Sequence, residues 1–187
     1  MRKLTFGMNV SLDGYIAAPG DDLGWSVPSD ELFQWWSDRV GATGLALYGR
    51  KLWETMSSHW PTADKQPGAT PAENEFARRW QEMPKVVFSS TTRTVDWNTR
   101  LVTGDAVTEI TRLKADDGGP MDIGGATLAA AAMRAGLIDE DMIVTEDGVR
   151  TESALPDAAA LIEAYAQHFE LPLTDDEVSQ LDGFVPR

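Results

Sequence analysis

The sequence predicts an α/β fold with three layers, in which a mostly parallel central sheet lies between two layers of helices. Short apolar runs alternate with segments of helical periodicity along most of the chain, which is typical of parallel strands joined by helical crossovers. The run Leu45–Tyr48 has no polar alternation, as expected of a strand covered on both faces. Two strands, the one ending near Gly49 and the one ending near Gly124, break at glycine directly before a helical pattern.

The first half of the chain supplies three strands and three helices of this pattern. Ser29 can cap a helix, because a side-chain oxygen at that position accepts a hydrogen bond from the first turn. Pro71 opens a later helix, where proline is favoured in the first turn. The stretch 59–70 contains two prolines and a glycine and is expected to be an irregular, mobile connection. The predicted strands are 4–10, 45–48 and 85–89, and the predicted helices are 29–40, 50–57 and 72–81.

The second half continues the alternation as far as residue 140. Strands are predicted over 100–103 and 121–123, and helices over 107–114 and 127–135, the last closed by Gly136. Beyond them, an Asp147-Gly148 turn predicts a hairpin, and two helical segments follow. We therefore divide the chain into an α/β domain, residues 1–140, and a hairpin-plus-helices extension, residues 141–187.

Composition narrows the classes of function. A net charge of −14 argues against nucleic-acid binding, which normally needs a basic surface. No apolar run is long enough to span a bilayer, so we expect no membrane partner and a cytoplasmic protein. The chain has no cysteine, and its two histidines are isolated, so we predict no metal site and no thiol chemistry. The charge is uneven, because residues 139–187 hold thirteen acidic and only two basic residues.

The glycine junctions predict binding of an anion. Glycine permits close approach of a ligand, and the start of a helix offers unpaired N–H groups and a positive dipole end. Arg50 and Lys51 follow the first junction and add two cations, although a solvated first helical turn is the alternative. The loop from Ser89 to Arg93 is rich in hydroxyl groups and ends in a cation, which suits a phosphate as well as a simple polar turn. Two junctions favour a ligand with more than one anionic group, such as a dinucleotide.

The order and spacing of five short motifs resemble the dihydrofolate reductase superfamily. The resemblance is to its bacterial branch similar to the reductase domain of riboflavin biosynthesis, and it covers about residues 3–140. The fold it implies is a dihydrofolate-reductase-like sheet. The motifs are Ser11–Ala17, Trp25–Asp30, Tyr48–Glu54, Val87–Ser90 and Ile123–Gly125.

The resemblance implies an NADPH site built on the glycine junctions. Gly49, Arg50 and Lys51 would lie at the phosphates of the cofactor. Ser89, Ser90 and Arg93 would lie at the adenosine 2′-phosphate. The turn at the pyrophosphate would be formed by Gly124, Gly125, Ala126 and Thr127. Leu52 departs from the family, which often has threonine there.

The resemblance also implies a substrate site beside the cofactor. Asp30 and Asp13 would be the catalytic carboxylates of a site for a small pterin- or pyrimidine-like heterocycle that accepts a hydride. The aromatic residues Trp25, Phe33 and Trp36 could form a flat apolar wall against that ring. A buried Asp30 next to these aromatic rings would have a raised pKa, which suits proton transfer. The alternatives are a helix-capping role for Asp30, a turn-shaping role for Asp13 and a core position for the aromatic rings.

The C-terminal quarter favours a second hypothesis. Relatives continue after the last helix of the domain with a glycine-rich turn and a final hairpin, and residues 139–187 contain no such glycine-rich stretch. The chain would then be a non-catalytic binding or regulatory protein, whose acidic extension associates with a partner or with a second copy as a homodimer.

Overall fold

The computed structural model describes residues 1–10, 16, 28–144 and 150–152. No helix within these residues is long and apolar enough to cross a membrane. The elements, in chain order, are β1 (Leu4–Asn9), α1 (Asp30–Ala42), β2 (Leu45–Gly49), α2 (Arg50–His59), a 3-10 helix (Trp60–Lys65), α3 (Pro71–Glu82), β3 (Lys85–Phe88), β4 (Thr99–Val102), α4 (Ala106–Ala115), β5 (Met121–Gly124), α5 (Ala126–Arg134), β6 (Glu140–Val144) and β7 (Arg150–Glu152).

The strands form one seven-stranded sheet in the order β4-β3-β2-β5-β1-β6-β7. All neighbouring pairs from β4 to β6 are parallel, and β7 runs antiparallel to β6. β5 therefore lies between β1 and β2, where Met121 pairs with Leu4 on one side and with Leu45 on the other. The predicted mostly parallel three-layer fold is confirmed.

Each face of the sheet has its own core. On one face, α1, α2 and α3 cover Ala46, Tyr48 and Val87, with Trp80 fully buried among them. On the other face, α4 and α5 cover a second core that includes Leu47. Because helices pack on both faces of the sheet, residues on both faces of β2 are buried, which explains its uninterrupted apolar sequence.

Two buried lysines join elements of this frame. Lys114 of α4 contacts Asp139 Oδ2 and donates to the carbonyl oxygen of Leu137 at 2.8 Å, and the same Asp139 oxygen accepts from the Leu4 N–H at 2.7 Å. The contact ties α4 to β1 and to the start of β6. Lys85 at the start of β3 donates to the Met83 carbonyl at 2.7 Å, and burial lowers its pKa to about 8.

One predicted connection is wrong. The stretch 59–70 contains a 3-10 helix in which Pro61 and Ala63 are buried, so its central part is packed rather than mobile. Trp60 explains the packing, because its ring lies 4.1 Å from the ring of Phe76 in α3. The strands of the predicted hairpin are present as β6 and β7, and β6 extends the sheet beside β1. The turn of the hairpin, residues 145–149, and the helices predicted after residue 153 lie outside the described residues.

Candidate functional site at the carboxyl edge of the sheet

The topology marks one place on the sheet edge as the favoured crevice for a ligand. The chain leaves β1 through α1 on one face and reaches β2, whereas it leaves β5 through α5 on the other face and reaches β6. The connections of the neighbouring strands β1 and β5 therefore run in opposite directions. In open parallel sheets, ligands bind outside the carboxyl ends of the strands at such a switch point.

Both glycine junctions lie at this edge, on adjacent strands. Tyr48 pairs with Gly124, which places the ends of β2 and β5 side by side. Gly125 has φ of +96°, and a Cβ added to it would lie 3.3 Å from the Cα and N of Gly49. A Cβ added to Gly124 would overlap the Cδ2 of Leu52. Glycine is therefore favoured by the backbone conformation at Gly125, whereas a side chain at Gly124 would require the Leu52 side chain to move.

The α-helices that start at the two junctions differ from the other described α-helices in their caps. Ser29, Thr70 and Asp105 cap α1, α3 and α4 through side-chain oxygens. Gly49 and Gly125 cap α2 and α5 without any side-chain hydrogen bond, and neither helix has an acidic residue in its first turn. Two helix starts without side-chain acceptors thus meet at one point, where their N–H groups and dipoles favour an anion.

The cations predicted at this junction lie on the first turn of α2. Arg50 is about half exposed and forms an ion pair with Glu54, with 2.8 Å between Nη1 and Oε2. Lys51 is exposed on the same turn. Leu52 is half-buried and packs in the core beneath α2, so its side chain covers Gly124 where the family often has a hydroxyl. The described geometry brings Gly49, Arg50 and Gly125 to one edge.

The loop after β3 is the next feature along this edge. Gly49 pairs with Phe88, so Ser89 follows directly beside the β2 junction. The Ser89 hydroxyl accepts hydrogen bonds from the N–H groups of Thr91 (3.2 Å) and Thr92 (3.0 Å), and it therefore shapes the loop. Ser90 and Arg93 are exposed on it. Of the three residues predicted at the 2′-phosphate, Ser89 thus stabilises the loop through its hydroxyl group. Ser90 and Arg93 expose their side chains to solvent.

The predicted substrate residues are only partly within the described chain. Asp13 and Trp25 lie outside the described residues. Asp30 is the first residue of α1, after the Ser29 cap, and it is exposed, so the expectation of a buried carboxylate is wrong. The position explains this, since the first turn of a helix at a sheet edge faces solvent and favours acids. Phe33 is half-buried, and its ring lies 5.5 Å from that of Phe76, as expected of a core aromatic.

Asn9 is a polar residue of this edge that the sequence did not single out. It ends β1, on the other side of the switch point from Gly124. Its Oδ1 accepts a hydrogen bond from the indole N–H of Trp36 in α1, with 2.9 Å between the heavy atoms. In the sequence, the feature that could have indicated a role for Asn9 is a single amide side chain at the end of an apolar strand.

A cavity of about 550 Å³ lies at the opposite end of the sheet. It is lined by the first residues of three strands, Leu45, Lys85 and Thr99, and by Trp97, which is 41% exposed. Trp97 and Asn98 have φ of 59° and 53°, and the Asn98 side chain donates to the Glu82 carbonyl at 2.6 Å. Neither glycine junction contributes to this cavity, so it is separate from the candidate site.

Comparison with known proteins identifies the family. The family model of the RibD C-terminal domain matches residues 2–145. The chain belongs to the RibD C-terminal domain family. The expected resemblance to the reductase domain of the riboflavin biosynthesis deaminase/reductase is therefore confirmed. Its family indicates a reductase-like protein of the riboflavin pathway.

A solved structure shows the same fold as this RibD C-terminal domain. It is a provisionally named riboflavin biosynthesis protein from Shewanella sp. PV-4, with 24% sequence identity and a TM-score of 0.56. The match covers 78% of this chain and 76% of that chain. No curated protein sequence matches the chain significantly.

Proposed function

We propose that the protein is an NADPH-dependent reductase that transfers a hydride to a small pyrimidine- or pterin-like heterocycle. Membership in the RibD C-terminal domain family supports the reductase class. The observation that carries the proposal is the meeting of Gly49 and Gly125, where two helix starts without side-chain caps adjoin. A side chain at Gly125 would crowd the Gly49 backbone at the point where the two helix starts meet.

The order of residues along the carboxyl edge favours one orientation of a bound dinucleotide, with its adenosine end at β3 and its nicotinamide end at β1. The hydroxyl-rich loop from Ser89 to Arg93 follows β3, the phosphate cradle lies at β2 and β5, and the switch point lies between β5 and β1. In this arrangement Arg93 holds the 2′-phosphate, while Gly49, Arg50, Lys51 and the turn from Gly124 to Thr127 hold the pyrophosphate. The nicotinamide supplies the hydride when NADPH is bound.

The protein's own groups then orient the two reacting rings. With the phosphates at β2 and β5, the nicotinamide end extends toward β1 and α1, where Asp30 and Phe33 lie at the start of the helix. Asp30 is exposed in the described structure, so we assign it hydrogen bonding to the bound heterocycle rather than a preformed acid role. We keep Trp25 as a substrate-binding residue and Asp13 as a catalytic residue in this proposal.

A binding titration tests the cofactor. Tryptophan is excited and the emission of added NADPH is recorded, which requires energy transfer from the protein to bound nicotinamide. Saturable emission that adenosine 2′,5′-bisphosphate displaces is the expected result. No saturation at millimolar NADPH would refute the proposal.

Substitution of Arg50 tests the proposed phosphate contact directly. Arg50→Gln removes a charge-assisted contact to phosphate and should weaken NADPH binding roughly three- to tenfold, given its partial exposure. Glu54→Gln should have the opposite sign, because it releases Arg50 from its ion pair. Arg78→Gln is the matched control, since Arg78 pairs with Glu75 and Glu82 on the surface of α3.

A further inference from the structure

Asn9 and Trp36 form a polar pair at the β1 side of the switch point. The pair joins the end of the central strand to the middle of α1, the helix that carries Asp30 and Phe33. Gly7, two residues earlier on the same face of β1, leaves room for the indole, because a Cβ there would lie 3.0 Å from the Trp36 Cη2. The indole is therefore held between the strand and the helix, directly below Asn9.

The chemistry of the two side chains fixes the orientation of the amide. The indole N–H of tryptophan can only donate a hydrogen bond, so the atom of Asn9 that faces it must be the carbonyl oxygen. The NH2 group of Asn9 consequently faces away from Trp36. No described residue accepts a hydrogen bond from it. A rotation of the amide by half a turn would place a donor against a donor and lose the contact to Trp36.

We propose that Asn9 is the hydrogen-bond donor for an amide-type carbonyl oxygen of the ring bound at the β1 end of the site, and that Trp36 is the positioning residue that keeps Asn9 in its donating orientation. The inference rests on the proposed function, because phosphates at β2 and β5 leave the β1 end for the reacting rings. Two bound rings could offer such a carbonyl. The nicotinamide ring carries it in its carboxamide group, and a pyrimidine- or pterin-like substrate carries it in its lactam. Both would be selected over rings that lack the acceptor.

The test compares variants that change the donor with variants that change its support. Asn9→Asp keeps an acceptor for Trp36 and loses the NH2 donor, so the fold retains its contact while the carbonyl of the ligand meets a carboxylate. Asn9→Ala removes both functions, and Trp36→Phe removes only the indole N–H. Trp97→Phe is the matched control for Trp36→Phe, because Trp97 lies at the opposite end of the sheet.

Three probes distinguish the two sources of the carbonyl. NADPH contains the nicotinamide, adenosine 2′,5′-bisphosphate lacks it, and lumazine added to the protein saturated with NADP⁺ stands for the lactam of the substrate. If Asn9 contacts the nicotinamide, Asn9→Asp and Asn9→Ala weaken NADPH roughly three- to tenfold and leave the bisphosphate unchanged. If Asn9 contacts the substrate, NADPH binding is unchanged and lumazine binding falls by the same factor. Trp36→Phe shifts the same probe by a smaller factor, and Trp97→Phe shifts none.

The outcomes separate this inference from the function on which it rests. Absence of NADPH binding by the unmodified protein would overturn both. Normal NADPH binding by the unmodified protein, with both Asn9 variants matching it for all three probes, would overturn the inference alone. An equal loss for NADPH and for the bisphosphate would also overturn it, since a merely structural role of Asn9 would disturb the whole edge without regard to the nicotinamide.

Discussion

Alanine at Gly125 is expected to weaken both the fold and the binding of NADPH. The backbone at this residue has φ of +96°, a conformation that costs a side-chain-bearing residue about 1–3 kcal/mol. The new Cβ would also lie 3.3 Å from the Cα and N of Gly49, so the neighbouring strand end must shift by a few tenths of an ångström. For a chain of this size, we expect the Tm to fall by roughly 2–10 °C.

The loss of binding comes from the position of the added methyl group. It would lie against the Cα and N of Gly49, the residue that caps α2, and would crowd the start of that helix, where the proposed pyrophosphate approaches the backbone. Removing one charge-assisted hydrogen bond costs roughly 1.5–3 kcal/mol, which corresponds to about a ten- to hundredfold weaker affinity. The NADPH titration described above measures this change.

Two further alanines separate the effect on stability from the effect on binding. Gly136→Ala places a side chain at φ of +66° with no atom within 4 Å of the new Cβ, so it costs about 1 kcal/mol of stability and leaves NADPH binding unchanged. Gly49→Ala is expected to do the opposite, leaving stability nearly unchanged and weakening NADPH binding. Its φ is −67° and its nearest contacts would be at 3.7–3.8 Å, so we expect the fold to tolerate it and the added methyl group to hinder a phosphate at the proposed cradle. If Gly49→Ala and Gly125→Ala both bound NADPH as tightly as Gly136→Ala does, a phosphate cradle at these glycines would be refuted.

Three other predictions concern named charges. Arg93→Gln should reduce the preference for NADPH over NADH roughly three- to tenfold, measured as the ratio of the two Kd values, and an unchanged ratio would remove Arg93 from the 2′-phosphate site. Burial lowers the pKa of Lys85 from its ordinary value of 10.5 to about 8, so above pH 8 the unfolded chain binds more protons than the folded one, and stability should rise with pH. Relative to Lys85→Met, the native protein should gain up to about 1.4 kcal/mol per pH unit between pH 8 and 9.5, and a flat difference in denaturant unfolding would contradict this. Asp139→Asn should destabilise the fold by about 2 kcal/mol, because the buried ammonium of Lys114 loses its counter-ion, and Lys114→Met in the same chain should restore most of the loss; additive losses in the double variant would disprove the coupling.

The sequence predicts the local parts of the site well, because their signals are short in range. The junctions at Gly49 and Gly124 follow from a strand pattern that ends at glycine before a helix, and both are present where predicted. Their adjacency does not follow, since it depends on β5 inserting between β2 and β1. Residues far apart in the chain choose that order by packing two faces at once, and no single segment encodes it.

The errors have specific physical causes. The aromatic neighbours of Asp30 in sequence suggest a buried carboxylate, but a first-turn acid next to a side-chain cap is already favourable in water. Pro61 suggests irregular structure in the sequence, yet proline suits the first turn of the 3-10 helix that forms there. The sequence around Asn9 does not indicate a role for it, because its hydrogen-bond partner, Trp36, lies on another element.

The position of β1 in the sheet has a consequence for how the protein is made. β1 is synthesised before the other described strands and lies inside the sheet, where its two neighbours are β5, which begins at Met121, and β6, which begins at Glu140. Until those segments are synthesised, β1 has neither edge paired and its apolar residues Leu4 and Phe6 have no sheet to join. β2, β3 and β4 pair with one another much earlier. Closure of the sheet, and with it the edge that joins Asn9 to the glycine junctions, is therefore a late event that waits for nearly all of the family domain to emerge.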